Sequence, residues 1–255
     1  MEIKNHITAR DFLVAHRGYA VKYPENTLLA IQGALDAGAR YIEIDVQLSN
    51  DQLPVVFHDR NLERLCQQQN AIHDYSFETI RTFSNYAPDS FGEKYLGTRI
   101  PTLREVVELL QQHKDVTLFV ELKRISIDHF GIDNMLTTVL PLLEPIASQC
   151  VLISFSLDIL DVVRSKTTFP IGAVIDEWQD AITKDKKRLE SLSPEYFFCD
   201  IETLPARGSI QILNSKIVCY ECTNPEQAKH VLSRGVTLVE TFDIKNMIDM
   251  LDSNA

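Results

Sequence analysis

Two carboxylates separated by one residue within an apolar run are the clearest chemical signal in the sequence. Glu43 and Asp45 lie in the run YIEIDV at residues 41–46. In an extended strand both carboxylates project from one face and the apolar side chains from the other. Adjacent like charges oppose each other's ionisation, and a divalent cation between them relieves the conflict because it takes hard oxygen ligands. The alternative is a solvated edge strand with salt bridges, which the apolar neighbours disfavour.

The same alternation recurs in FVELK at residues 119–123. Glu121 could supply a third oxygen ligand to the same cation if the two strands end at one face of the fold. Lys123 would then be a cation for a phosphate group or for charge that develops in a transition state. An internal ion pair between Glu121 and Lys123 is the alternative interpretation.

Two histidines follow strand-like runs. His16 is succeeded by Arg17 and Gly18, and His58 ends the run PVVFH at residues 54–58. Two imidazoles at strand ends suit a general base and a general acid on opposite sides of a transferred phosphoryl group, and Arg17 is a bidentate anion binder. Either histidine could instead be a hydrogen-bonded structural residue. The remaining histidines lack such neighbours and are predicted to be surface or structural residues: His6, His73, His113, His129 and His230.

The elements that must position these residues alternate regularly. Eight β-rich segments occur, at residues 12–16, 41–48, 117–122, 151–155, 170–175, 196–201, 216–220 and 237–241. Helix-like stretches with apolar residues three and four apart lie between most of them, at residues 27–37, 103–112, 157–165 and 225–233. Eight strand-helix units in 255 residues predict an α/β fold, a (β/α)8 TIM barrel, with a doubly wound sheet as the second choice.

One segment breaks this alternation. Residues 54–58 add an extra strand, and residues 59–101 then run irregularly with mixed polarity. We therefore predict a single domain over residues 1–255 with a small inserted subdomain at about 59–101. A long excursion from a compact barrel is usually a functional loop or a lid. A surface loop without function is the alternative.

Composition limits the partners and the compartment. The chain has 25 Lys and Arg against 36 Asp and Glu, a net charge of −11, which argues against nucleic-acid binding. No apolar run approaches the roughly 18 residues that span a bilayer, and the first residues lack the apolar core of a signal peptide. We expect no stable membrane insertion and a cytoplasmic location. Five dispersed cysteines, Cys219 and Cys222 among them, predict reduced, packed thiols.

Several motifs occur in a fixed order over about 45 residues. They are AHRG at 15–18, PENT at 24–27, GA at 38–39, EIDV at 43–46 and VVFHD at 55–59. Further along the chain come IPTL at 100–103, ELK at 121–123 and SF at 154–155. This ordered set closely resembles the glycerophosphodiester phosphodiesterase family, and the resemblance covers nearly the whole chain.

The resemblance implies a (β/α)8 barrel with a small inserted subdomain. It also implies hydrolysis of glycerophosphodiesters to glycerol 3-phosphate and an alcohol, with a divalent metal, in lipid and glycerol metabolism. Matched by position, the resemblance implies that Glu43, Asp45 and Glu121 are the metal ligands and that His16 and His58 are the acid-base pair. It implies that Arg17 and Lys123 are the phosphate-binding cations. Glu25 and Asn26 match a polar pair beside the site. Glu25 would orient an imidazole or a metal-bound water. Mg²⁺ is the first choice of metal, with Ca²⁺ or Mn²⁺ as alternatives.

The chain departs from the family pattern in three places. Residues 65–69 read LCQQQ where glycines are usual, residues 219–223 read CYECT where a Trp-Thr pair is expected, and residues 241–244 read TFDI in place of Thr-Asp-x-Pro. In the family the last two positions help to shape the pocket on the alcohol side. The sequence therefore indicates the reaction type more firmly than the substrate.

Two other functions stay open. The first is a phosphodiesterase of the lysophospholipase D type, whose alcohol side carries an acyl chain; the lack of an evident amphipathic membrane helix disfavours it. The second is a catalytically silent binding protein. It is disfavoured because both histidines and all three presumed metal carboxylates occur together.

Overall fold

The computed structural model describes residues 8–253, apart from the side chain of residue 182. Eight parallel strands close into a barrel in the order β1-β2-β4-β5-β6-β7-β8-β9, because β1 pairs with both β2 and β9. A ninth strand, β3, pairs antiparallel with β2. The strands are β1 (Leu13–His16), β2 (Tyr41–Leu48), β3 (Pro54–Val56), β4 (Thr117–Leu122), β5 (Cys150–Ser154), β6 (Ile171–Ile175), β7 (Tyr196–Asp200), β8 (Lys216–Tyr220) and β9 (Leu238–Thr241). The predicted (β/α)8 barrel is confirmed.

Helices follow most of the strands. They are α1 (Leu28–Asp36), α2 (Glu63–Cys66), α3 (Phe77–Ile80), α4 (Pro88–Phe91), α5 (Leu103–Leu110), α6 (Arg124–Phe130), α7 (Ile132–Leu143), α8 (Leu157–Lys166), α9 (Trp178–Thr183), α10 (Lys186–Leu192), α11 (Pro225–Ser233) and α12 (Ile244–Asp252). The sequence predicted helices between most of the strands, and the segment between β7 and β8 is an exception, with only a short 3-10 turn at Ile201–Thr203. Pro205 and Gly208 follow this turn, and both residue types oppose helix formation.

An apolar layer fills the barrel below the charged residues. Val14, Phe119, Phe198 and Leu238 belong to one buried cluster, and Phe119 contacts the ring of Phe198 edge to face at 5.1 Å. Val14 and Phe119 each lie two residues before a candidate site residue on the same strand, so all of these side chains face the lumen. The candidate site therefore lies on an apolar floor, towards the carboxyl ends of the strands.

The segment after β3 packs a small core of its own. Its buried members include Phe57, Leu62, Leu65, Ile72 and Ile100. The predicted strand over 54–58 is shorter in the structure, because the amide of Gln47 donates hydrogen bonds to the backbone carbonyls of residues 57, 58 and 59 at 2.8, 3.1 and 2.8 Å. These bonds turn the chain out of the sheet and fix the backbone at His58.

The cysteines agree with the sequence-based expectation. Cys66, Cys150, Cys199, Cys219 and Cys222 are all free and buried. Among residues 8–253, no helix combines the length and apolar character that crossing a bilayer requires.

Candidate active site

The ends of β1, β2 and β4 bring four candidate residues together. His16 lies opposite Glu43 in the pairing of β1 with β2, and Asp45 lies opposite Glu121 in the pairing of β2 with β4. Gly18 then turns the chain sharply after β1: its φ is +82°, and a Cβ there would approach the Ala30 backbone to 2.6 Å. Only glycine fits this close turn without strain.

The three carboxylates predicted to bind metal are neighbours. Glu43, Asp45 and Glu121 are buried, and each offers an oxygen within 4.8 Å of the other two. Asn26 holds one of them, because its Nδ2 donates to Asp45 Oδ2 at 2.8 Å and its Oδ1 accepts from the Asp45 backbone N–H at 3.2 Å. Glu43 Oε1, by contrast, has no hydrogen-bond partner among the described residues. Three hard oxygen donors with one unsatisfied member suit a divalent cation.

The protonation behaviour of this cluster points the same way. Burial and the neighbouring carboxylates of Asp45, Glu240 and Glu121 raise the pKa of Glu43 well above its ordinary value. Burial also raises the pKa of Glu121, although Lys123 opposes it. At Asp45, burial is outweighed by Lys123 and Arg17, which hold the pKa of this carboxyl below its usual range. When fully ionised, the three carboxylates would therefore carry more negative charge than Lys123 and Arg17 offset.

Both predicted phosphate-binding cations contact carboxylates in this structure. Lys123 Nζ lies 3.1 Å from Asp45 Oδ1 and 3.0 Å from Glu121 Oε1. Arg17 Nε lies 3.3 Å from Asp45 Oδ2, and its Nη1 donates to Glu25 Oε1 at 2.8 Å. Arg17 also lines the central cavity, whereas Lys123 is not among its lining residues. The geometry leaves Arg17 the better placed of the two to reach a phosphate.

His58 is held by a chain of charged groups from the inserted segment. Its Nδ1 is 2.8 Å from Asp59 Oδ1, and Arg64 Nε donates to Asp59 Oδ2 at 2.6 Å. Arg64 also donates to both carboxylate oxygens of Glu25, at 2.9 and 2.8 Å. Glu25 thus joins Arg64 to Arg17 and forms no hydrogen bond with a described imidazole. The expectation that it orients a metal-bound water stays a prediction. Asp59 and Arg64 were not predicted as site residues, although Asp59 ends the motif VVFHD and Arg64 follows it by five residues.

His16 is more enclosed than His58. It is 7% exposed and stacks on Phe242, with ring centroids 4.7 Å apart and planes within 5°. Its Nε2 lies 3.7 Å from Glu43 Oε2 and 3.9 Å from Glu240 Oε2, and its Nδ1 lies 3.3 Å from Glu221 Oε1. Burial, followed by Arg17, lowers the pKa of His16 well below the ordinary imidazole value. The ring is therefore predominantly neutral at pH 7 and can accept a proton.

Several of these groups line one cavity at the mouth of the barrel. Its charged part includes His16, Arg17, Glu43, His58 and Glu121, and its other wall is largely apolar, formed by Ile153, Phe155, Val174, Phe198 and Tyr220. The lining is charged on one side and apolar on the other, so it matches a small ligand with one charged end and a short hydrocarbon portion.

Two further acids line the cavity and were not predicted, Glu221 and Glu240. Glu240 is only 2% exposed. It is the only charged residue of β9 and lies two residues after the lumen-facing Leu238, a spacing like that which identified Glu43, so periodicity could have found it. Glu221 follows the end of β8 in an irregular segment. No periodic pattern marks that position.

Comparisons with known proteins agree with this geometry. The model of the glycerophosphoryl diester phosphodiesterase family matches residues 16–243. The chain belongs to this family. A glycerophosphodiester phosphodiesterase of Caldanaerobacter subterraneus subsp. tengcongensis is 28% identical over 95% of this chain and 98% of its own length. One from Bacillus altitudinis is 38% identical over 48% of this chain and 49% of its own. A phosphodiesterase of Oleispira antarctica, solved in complex with the product sn-glycerol-3-phosphate, shares the fold with a TM-score of 0.81 at 21% identity, covering 94% of this chain and 96% of that one.

Membership confirms the family resemblance drawn from the motifs, and it places the chain among the phosphodiester hydrolases. The match to the glycerophosphoryl diester phosphodiesterase family begins at His16 and ends at residue 243, so it includes every candidate site residue named above. Among these are the Glu221 and Phe242 positions, where the sequence departs from the family pattern.

Proposed function

We propose that this protein hydrolyses glycerophosphodiesters to glycerol 3-phosphate and an alcohol, with a divalent metal and with His16 and His58 as the acid-base pair. The observation that carries the proposal is the shared cavity. Its lining combines two imidazoles, an arginine and two of three clustered carboxylates with an apolar wall. These are the groups that transfer of a phosphoryl group to water requires.

The carboxylates fit a divalent cation. Glu43, Asp45 and Glu121 would hold it, and the unpartnered Glu43 Oε1 is the strongest sign that an electropositive group belongs there. Such an ion, when bound, neutralises phosphate oxygens and polarises the phosphorus centre. Oxygen-only ligands favour Mg²⁺ as the resident ion, with Ca²⁺ or Mn²⁺ compatible with the same donors.

The proton transfers belong to the two histidines. Arg17 binds a phosphate oxygen of the diester from the cavity wall. One imidazole removes the proton of the attacking hydroxyl, which belongs to water or to the substrate's own glycerol, as the oxygen-phosphorus bond forms. The other imidazole donates a proton to the departing alcohol oxygen as its bond to phosphorus breaks. If the glycerol hydroxyl attacks first, the product is a cyclic phosphate, and the roles exchange when water opens it. Lys123 favours the ionised forms of Asp45 and Glu121, whose oxygens lie 3.1 and 3.0 Å from its Nζ.

One release assay tests the proposal. Glycerol 3-phosphate is measured from glycerophosphocholine with and without a chelator, and again with a lysophospholipid as substrate. We expect chelation to abolish release, and His16→Ala and His58→Ala each to lower kcat by about 10²–10⁴-fold. Exposed His230 supplies the control variant His230→Ala. Release from neither substrate by the metal-loaded protein would leave a silent binding protein, and release from the lysophospholipid alone would favour the lysophospholipase D type.

We also propose that residues 1–255 act as one barrel domain whose segment 59–101 covers the site. The small separate core of that segment and the Arg64 contacts support this arrangement. A cytoplasmic location is supported by the five free, buried thiols.

A further inference from the structure

One nitrogen of His16 faces an acid that no part of the reaction described above uses. Nδ1 of His16 has no hydrogen-bond partner among the described residues. The carboxylate oxygen beside it is Glu221 Oε1, at 3.3 Å. On the opposite edge of the ring, Nε2 is directed toward Glu43 and Glu240 at 3.7 and 3.9 Å. The two nitrogens of the ring therefore point to different parts of the site.

We propose that Glu221 is the positioning residue of His16. Its carboxylate accepts the Nδ1–H hydrogen bond and holds the imidazole in the tautomer whose unprotonated Nε2 faces the reacting phosphate. This inference rests on the acid-base function proposed for His16, and it extends that function to a residue outside the motifs that identify the family.

The geometry needs only a small adjustment to make this bond. The distance of 3.3 Å lies just above the ordinary range for N–H···O bonds. The Glu221 side chain is 37% exposed and forms no other ion pair or hydrogen bond within the described part of the chain. The ring itself is fixed by its stacking on Phe242. At 3.3 Å the two atoms are within reach but are not aligned as a hydrogen bond, and we expect a rotation of the partly exposed Glu221 side chain to align them.

The arrangement resembles the acid-histidine pairs of hydrolases in its chemistry. A neutral imidazole carries one proton, and the hydrogen bond made by one nitrogen decides which nitrogen holds it. With the proton on Nδ1, Nε2 has a free lone pair on the edge of the ring that faces Glu43 and Glu240. With the proton on Nε2, His16 could not accept one there. Glu240 cannot replace Glu221 in this role because it lies on the Nε2 side.

His58 has the equivalent support from Asp59 at 2.8 Å. Each catalytic imidazole would then have its own carboxylate, Asp59 for His58 and Glu221 for His16. The second comes from the β8 end, within residues 219–223, which read CYECT where the family pattern has a Trp-Thr pair. The departure from the pattern thus has a chemical consequence at the site.

The test compares Glu221→Ala, Glu221→Gln and the exposed control Glu226→Ala in the metal-loaded protein. Nitrogen-15 NMR of the His16 ring, at a pH where the imidazole is neutral, identifies the protonated nitrogen. We expect the Nδ1–H tautomer in the wild type and a mixture in Glu221→Ala, with kcat for glycerophosphocholine lowered about 10–100-fold and KM nearly unchanged. Glu221→Gln keeps an acceptor oxygen and should restore the tautomer and most of kcat. The control Glu226 side chain is 85% exposed, and its variant should match the wild type.

Persistence of the Nδ1–H tautomer in Glu221→Ala would overturn the proposal, as would an unchanged kcat. Equal loss of kcat in the Ala and Gln variants without a tautomer change would assign Glu221 a charge effect on the substrate instead. Thermal unfolding of each variant separates a folding defect from either result, and Glu221→Gln retains the shape of the side chain. If the wild type hydrolyses no glycerophosphodiester, the proposed function fails, while the tautomer measurement still decides the Glu221-His16 contact.

Discussion

Replacing Glu43 by glutamine should change stability in opposite directions with and without metal. Glu43 is 2% exposed, has one unpartnered oxygen, and stands among the carboxylates of Asp45, Glu121 and Glu240. Without metal, Glu43→Gln replaces a carboxyl whose ionisation this environment opposes, so the variant should unfold at or above the wild-type temperature. With metal, the variant lacks one ligand, so adding metal should raise its unfolding temperature only slightly.

The size of the metal effect follows from mass action and chain length. An ion at 100 times its Kd stabilises the folded state by about 2.7 kcal/mol. Unfolding 255 residues at about 2.1 cal/mol/K per residue gives an entropy of about 0.5 kcal/mol/K, so Tm should rise by about 5 °C. If losing the ligand weakens binding about 100-fold, the same ion concentration contributes only about 0.4 kcal/mol, under about 1 °C.

Differential scanning calorimetry of chelated and Mg²⁺-loaded samples measures both effects. Glu226→Gln, on the exposed face of α11, is the matched control. The result that would refute the reasoning is a full metal-dependent rise in Glu43→Gln. That outcome would indicate that the ion binds elsewhere. The alternative site is the group of Glu25, His58 and Asp59, whose ligand atoms also lie within 4.8 Å of one another.

Three further outcomes are expected. Asp59→Asn should lower kcat about 10–100-fold with metal affinity retained, because it weakens the contact that orients His58. Steady-state kinetics measure this, with the exposed Asp89→Asn as the control. Wild-type turnover in Asp59→Asn would contradict the prediction. Replacing residues 59–101 by a short loop that keeps the barrel should alter the ratio of kcat/KM between head groups more than it alters Tm; failure of the barrel to fold would show that the segment is structural. Glu105 accepts bonds from the Thr102 backbone and hydroxyl, which together with Arg81 lower its folded pKa despite burial. Its contribution is therefore present above its ordinary pKa of about 4.3 and lost as pH falls through the lower folded value, so Glu105→Gln should flatten the acid limb of a pH-unfolding curve. An unchanged acid limb would contradict this.

The residues predicted from sequence share a local signal. A charged residue that alternates with apolar ones in a buried strand has few structural uses, so Glu43, Asp45 and Glu121 stand out without knowledge of the fold. Closure of the barrel then brings them together, because parallel strands in register end at one face. The alternation of strands and helices predicts that closure from sequence as well.

What the sequence could not predict depends on contacts between distant segments. The bonds from Gln47 to three consecutive carbonyls shorten β3, and nothing near residue 57 reveals them. Arg64 reaches Glu25 across 39 residues of sequence. The role proposed for Glu221 depends on its contact with His16, which is distant in the sequence. The segment around Glu221 has no periodic pattern that would have indicated a site residue. Such pairings follow from tertiary packing, which local patterns do not encode.

The charge balance of the lumen gives a physical reason for a divalent rather than a monovalent ion. Four buried carboxylates face the site from β2, β4 and β9, whereas Lys123 and Arg17 are the cations that contact them in the described chain. Full ionisation would leave an excess of two negative charges. Burial is the largest cause that raises the pKa values of Glu43 and Glu240, so protons reduce this excess when no other cation is present. A divalent ion supplies the same two charges at one point, and its binding should therefore release protons from the site.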